Sequence, residues 1–263
     1  MLIHGFNNDQ EEAELAFDRF TREQWKLGTM RTPIVRVLWP GDVGVPHYAR
    51  SIPNAQGTAR LLADELRKAA AYRGGLVVDI VAHSMGCRLS LELLHELRAV
   101  PEPLLRVRRI AMMAAAIPRR LLASHGTFVG GLRPPLDASG VRVLSLYSYI
   151  DLVLLGAFPA GQTIANLTGL DGAGVIPVPL GLAPWRVAAA PAAGRFAQLH
   201  AKGAGHGSYW KNSRGNVARR IRRFLQLGPF RRQVDPRTLE SRVRRERSLA
   251  AGPSRQIRER MVR

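Results

Sequence analysis

Apolar positions along the 263-residue chain follow two alternating rhythms. Short unbroken apolar runs bounded by Gly, Pro or polar residues predict buried strands. Leu76-Val77-Val78-Asp79-Ile80-Val81-Ala82 is the clearest of them. Pro33 to Trp39 (stopped by Pro40-Gly41), Arg109 to Ala115, Val141 to Tyr149 and Phe196 to His200 read the same way. Between the runs, apolar residues recur every three or four positions, which predicts helices. The first helix starts at Asn8 or Asp9, with Glu11 or Glu12 as capping-box partner and Leu15, Ala16, Phe17 and Phe20 facing inward. A second covers about Ala55 to Ala71, and a third carries Leu89, Leu93 and Leu97. A last helix lines up Val217, Ile221, Phe224 and Leu225, with Arg219, Arg220, Arg222 and Arg223 mostly off that stripe. Apolar strands alternating with helices predict an α/β fold: a twisted, mostly parallel sheet with helices on both faces.

The ends of the chain and one internal stretch depart from this rhythm. Met1-Leu2-Ile3 reads as the end of a buried strand, shorter than the usual ~5–6 residues, so strands preceding it are expected to be missing. Gly228-Pro229 closes the last helix. Residues 1–227 are therefore expected to form one domain, and 228–263 an arginine-rich, flexible or partly helical tail. Leu152 to Leu182 is the most apolar stretch, but Gly, Pro and polar residues interrupt it. It falls short of the ~20 apolar residues of a membrane span and reads as irregular structure. No internal repeat is visible.

Charge adds a second layer. The net charge is +19, nearly all from arginine, and such a field favours anionic partners. The basic tail is a candidate contact for an anionic membrane surface. Nucleic acid is not expected, since no recognised nucleic-acid motif accompanies the charge, and solvated arginines alone would give the same composition. The single cysteine, Cys87, permits no intrachain disulfide. That fits a reducing, cytoplasmic setting, with Cys87 as a small buried residue rather than a reactive thiol.

The chemistry centres on Ala82-His83-Ser84-Met85-Gly86, between a strand and a helix. A serine hydroxyl is a weak nucleophile until a base takes its proton. A sharp strand-to-helix turn lifts it clear of the sheet and needs small residues two before and two after, here Ala82 and Gly86. Acyl transfer also needs backbone N–H donors for the developing oxyanion. The expected donors are Met85, directly after the serine, and Phe6 of His4-Gly5-Phe6. An acid that orients the base should follow a late strand. Asp151, after Val141 to Ile150, fits better than Asp171 in its Gly-rich loop, although a cap or turn role would also explain Asp151. The base must follow the acid. His206, on what reads as a flexible loop, is preferred to His200 on the closing strand. His4, His47, His83, His95 and His125 all precede Asp151. No His, Cys, Asp and Glu spacing suggests a metal site, and no cofactor is expected.

His4-Gly5-Phe6-Asn7, His83-Ser84-Met85-Gly86 and His206-Gly207-Ser208-Tyr209-Trp210 together resemble the α/β-hydrolase superfamily, in particular a bacterial esterase-like branch with these openings. The resemblance covers roughly residues 1–227. It implies an eight-stranded, mostly parallel sheet and cofactor-free hydrolysis of small esters or related acyl compounds. Ser84 would be nucleophile, Asp151 acid and His206 base. Two other readings stay open: a membrane-surface lipase or phospholipase docked by its basic tail, and a non-catalytic binding protein on a hydrolase fold.

Overall fold

The computed structural model describes residues 1–28, 32–122, 132, 136, 139–169, 177–184, 195–211 and 216–226. Asp171, His125, the tail from 228 to 263 and much of the connection between Pro118 and Gly140 lie outside the described residues.

Six strands form one sheet: β1 (Leu2–Ile3), β2 (Arg36–Val37), β3 (Leu76–His83), β4 (Leu105–Met113), β5 (Arg142–Tyr147) and β6 (Phe196–His200). Their order is β2-β1-β3-β4-β5-β6 and every neighbouring pair is parallel. β3 and β4 are the central pair and bury Ile80, Val81, Ala82 and Ile110 to Met113 almost completely. The Pro33 to Trp39 run pairs only through Arg36 and Val37. Among the described residues its one neighbour is β1, which offers just Leu2 and Ile3 for pairing.

Parallel neighbours need crossover connections, and helices supply them. α1 (Gln10–Lys26) follows β1, α2 (Ser51–Arg73) precedes β3, and α3 (Met85–Ala99) joins β3 to β4. α2 and α3 pack on each other, while α1 packs with the last helix, α5 (Val217–Leu225). α1 opens with a full capping box, in which Asp9 accepts from the Glu12 N–H and the Glu12 side chain accepts from the Asp9 N–H. Its inward face is Ala13, Phe17, Phe20, Thr21 and Gln24, whereas Leu15 points outward. α5 departs from its sequence pattern in one place. Arg222 is buried with the apolar stripe, and its guanidinium donates to the Gln24 carbonyl, while the Gln24 amide donates to the Ala218 carbonyl. This exchange ties α5 to the C-terminal turn of α1.

The first half of the apolar stretch Leu152 to Leu182 is not irregular, as its Gly and Pro content suggests, but helical, whereas 177–182 is irregular as expected and 170–176 lies outside the described residues. A π-helical turn (Val153–Ala157) runs into α4 (Phe158–Leu167). Pro159 lies in the first α-helical turn, where its missing N–H breaks no α-helical bond. Gly161 is needed because the Tyr48 ring presses on it, 2.6 Å from where a Cβ would stand.

The strand order leaves a crevice. From β1 the chain moves outward to β2, then returns to β3 on the other side of β1. Loops leaving β1 and β3 therefore diverge to opposite faces, and open parallel sheets bind ligands at that switch point. His4-Gly5-Phe6 leaves β1 there, and Ser84 leaves β3.

Candidate active site

Ser84 sits between the last residue of β3 and the first of α3 with φ 52° and ψ −121°. Glycine is the usual occupant of such a conformation, and a non-glycine residue there stores about 1–3 kcal/mol of strain. The surroundings hold it. The Ser84 N–H donates to the Met113 carbonyl at the end of β4, and the Ser84 carbonyl accepts from Ala116. Gly86 lets β1 approach the turn, since a Cβ there would lie 2.3 Å from the His4 carbonyl oxygen. Ala82 is fully buried beside Ile3 and Met112. Cys87 is also buried, and burial pushes its thiol pKa up, away from the reactive range.

Three side chains from distant parts of the sequence meet here. The Ser84 hydroxyl lies 3.0 Å from His206 Nε2. His206 Nδ1 lies 3.0 and 2.9 Å from the two Asp151 carboxylate oxygens. A carboxylate can only accept, so Nδ1 carries the proton and Nε2 of the neutral ring is left to accept from Ser84. Asp151 is fully buried at the end of the β5 segment. One of its oxygens also accepts from the Leu154 N–H, so it caps the helix that follows. The helix-cap reading and the acid reading of Asp151 describe the same carboxylate. Its place at a helix N-terminus favours negative charge.

His206 does not lie on a flexible loop. Residues His206–Lys211 form a 3-10 turn in which Tyr209 and Trp210 are buried. Trp210 stands edge-on to Phe17 and Phe20 of α1, with centroids 5.7 and 5.9 Å away. The turn is thus anchored by aromatic packing as well as by Asp151. His200 is elsewhere: its ring stacks on Tyr147 and meets Tyr149 edge-on.

Two further histidines, excluded by chain order, brace the site. His83 Nε2 donates to the His206 backbone carbonyl across 2.8 Å, and its ring lies against those of His206 and Trp210. Burial, followed by the nearby His206 and His4 rings, lowers its pKa from 6.5 to about 3. The Nε2 of His4 accepts from the Trp39 N–H, so the proton sits on Nδ1, which donates to the Gly5 carbonyl. The Trp39 indole donates back to the His4 carbonyl. Planarity of the trans peptide then turns the Phe6 N–H opposite to the held Gly5 carbonyl. Gly5 itself is closely packed on the Ser84 turn, its Cβ position 3.0 Å from Ser84 Cβ. The Met85 N–H, as the first of α3, has no acceptor inside its helix. The His4-Gly5 pair pointed to this loop, but nothing local in the sequence gave His83 its bracing role, since its partner is 123 residues away.

These buried neutral histidines make acid stability predictable. Below about pH 6.5 the unfolded chain binds a proton that native His83 refuses until about pH 3. Stability is therefore intact above pH 6.5 and is lost as the pH falls through that window, by up to about 1.4 kcal/mol per pH unit. His4 acts in the same direction, its pKa lowered chiefly by burial. Unfolding free energies measured across this range should show a shallower slope for His83→Gln than for the wild type. Parallel slopes would mean that His83 is not the source.

Among the described residues no group of three or more His, Cys, Asp and Glu side chains could hold a metal ion. No described helix is long and apolar enough to cross a membrane.

Comparison with known proteins gives a family match to the first part of the chain but no activity. Residues 1–125 match the family described as alpha/beta hydrolase of unknown function (DUF900). No curated protein matches the sequence. Among solved structures, the product of the lin2722 gene of Listeria innocua is 11% identical with a TM-score of 0.49, over 86% of this chain and 92% of that one. Carboxylesterase CesB (YbfK) of Bacillus subtilis is 11% identical with a TM-score of 0.36, over 86% and 83% of the two chains. A carboxylesterase of the thaumarchaeon Nitrososphaera gargenis is 13% identical with a TM-score of 0.40, over 86% and 89%. The family match includes the β1 and β3 loops that build the crevice, so residues 1–125 are similar to an α/β-hydrolase family.

Proposed function

We propose that the protein is a serine hydrolase acting on carboxylic esters or related acyl compounds. The observation that carries this reading is the unbroken hydrogen-bonded relay from Ser84 through His206 to Asp151 at the switch-point crevice. His206 Nε2 takes the hydroxyl proton as Ser84 Oγ attacks the acyl carbon. The imidazolium so formed is stabilised by the buried Asp151 carboxylate. Negative charge gathers on the former carbonyl oxygen, and the N–H groups of Phe6 and Met85 are the donors that receive it. His206 returns its proton to the leaving alkoxide, and the acyl group remains on Ser84. Water, deprotonated by His206, then attacks the acyl-enzyme, releasing the carboxylic acid and restoring the serine. None of these steps calls on a cofactor.

The strained Ser84 backbone supports the reading independently, because a serine with a purely structural role has no need of such a conformation. A fluorophosphonate probe should label the protein at Ser84, and Ser84→Ala should abolish labelling while melting at an unchanged temperature. Labelling of the alanine variant at the wild-type rate would remove Ser84 from the mechanism.

A further inference from the structure

The segment after Asp151 is turned inside out. Along Leu152 to Leu167 the buried face includes Gln162 and Asn166 beside Leu154, Phe158, Gly161 and Ala165. The solvent face is apolar: Leu152 is 78% and Leu167 82% exposed, with Val153, Leu155 and Ile164 between 43% and 49%. The only polar side chain on that face within the helix is Thr163. An ordinary surface helix has the opposite polarity, and a contiguous exposed apolar face marks an interaction surface. Inner polar groups hold the helix in this orientation. Gln162 donates to Asn166, and Arg120 donates to the same Asn166 oxygen. The Tyr48 ring against Gly161 closes the other side.

Charge identifies the occupant. No ionisable residue lies between Asp151 and Asp171, so the face itself is neutral. The segments packed around the helix are 45–50 and 119–122, with 177–184 paired to the latter. They contain no acidic residue; Arg50 is exposed, while Arg119 and Arg120 are half-buried and donate inward to the Ala183 carbonyl and to Asn166. The chain as a whole has net charge +19. An uncharged apolar face beside the exposed Arg50, with no acidic residue in the segments around it, on a cationic protein complements an anionic phospholipid surface. There the apolar side chains enter the acyl boundary and the exposed Arg50 meets headgroup phosphates. A second copy of this chain would bring the same net positive charge against itself.

We propose that the outer face of residues 152–167 docks the protein on anionic phospholipid membranes. Asp151 caps this same helix and holds His206. Docking therefore sets the hydrogen-bonded relay at the lipid boundary, and if the hydrolase reading is right, the natural esters are acyl lipids. Only that last step rests on the hydrolase reading.

The test uses the full chain, with Ile164→Glu/Leu167→Glu as a double variant at exposed positions remote from Asp151. Cosedimentation is measured with vesicles of phosphatidylcholine mixed with phosphatidylglycerol, and with vesicles of phosphatidylcholine alone. The wild type should bind the anionic vesicles more tightly than the neutral ones. The double variant should bind them at least about tenfold more weakly, as charges replace two inserted apolar side chains. Hydrolysis of a soluble short-chain ester should be the same for both proteins. Failure of the wild type to bind overturns the proposal. So does equal binding by the variant, which would assign docking to another basic region. A wild-type dimer that the variant dissociates, without vesicle binding by either, would assign the face to a second copy. Vesicle binding that follows the expected pattern without ester hydrolysis leaves docking intact and removes the hydrolase reading instead.

Discussion

Alanine at Ser84 or at His206 should each lower kcat by roughly 10⁶, and the double variant should lose little more. The hydroxyl, the imidazole and the carboxylate are connected in series, so breaking either link removes the same assisted proton transfer. Asp151→Asn should cost about 10⁴ by a different route. An amide nitrogen facing His206 Nδ1 is a donor, and it favours the tautomer protonated on Nε2. That nitrogen can then no longer accept from Ser84. The remaining amide oxygen can still accept from the Leu154 N–H, so the helix cap survives and thermal stability should change far less than rate. Steady-state kinetics on a soluble ester, with melting curves for each variant, separate the two roles of Asp151. Losses that add across the Ser84 and His206 variants would contradict a relay that acts as one unit.

Gly86→Ala should be strongly damaging, because one methyl group there wedges β1 away from the Ser84 turn. The added Cβ would meet the His4 carbonyl oxygen at 2.3 Å and the Ile3 backbone and side chain at 3.0 Å. These obstacles are mostly backbone, so β1 itself must retreat. Overpacking of a core costs about 1–3 kcal/mol even where side chains can yield, and the upper end or more is expected here. That corresponds to a fall in Tm of roughly 6–12 °C for a domain of this size. The retreat also carries away the loop bearing the Phe6 N–H, so activity should fall beyond what stability alone explains. Gly57→Ala is the matched control. It lies inside α2, and a Cβ there meets nothing within 4 Å. Alanine should stabilise that helix by about 0.5–1 kcal/mol. A Gly86 variant that melts with the wild type would show that β1 does not press on the Ser84 turn.

The resemblance implied eight strands, and the described residues contain six, all parallel. The edge strand was overestimated because a β-branched run records a preference for pairing, whereas its ladder can be no longer than the partner strand. The helix after Asp151 was misread because Gly156, Pro159 and Gly161 break helices in the average sequence. Here a π-helical turn absorbs the proline, and the Tyr48 ring requires one of the glycines. Leu15 and Arg222 exchanged their expected sides for a similar reason: α1 and α5 select their inward faces by what they meet, and buried Arg222 finds the Gln24 carbonyl.

By itself the sequence determined the alternation of strands and helices and the turn at Ser84, because these are written in residues a few positions apart. Periodicity places a side chain on a face, and small residues on both sides of a serine allow a tight turn. Tertiary structure alone decided which groups meet across long separations. It set His83 beneath the His206 carbonyl, 123 residues away, and Trp39 against His4, 35 residues away. It also turned the apolar side of residues 152–167 to solvent. These outcomes depend on strand order and on the partners each face finds. No local pattern carries that information, since a hydrogen bond between distant residues needs only a donor and an acceptor brought within about 3 Å.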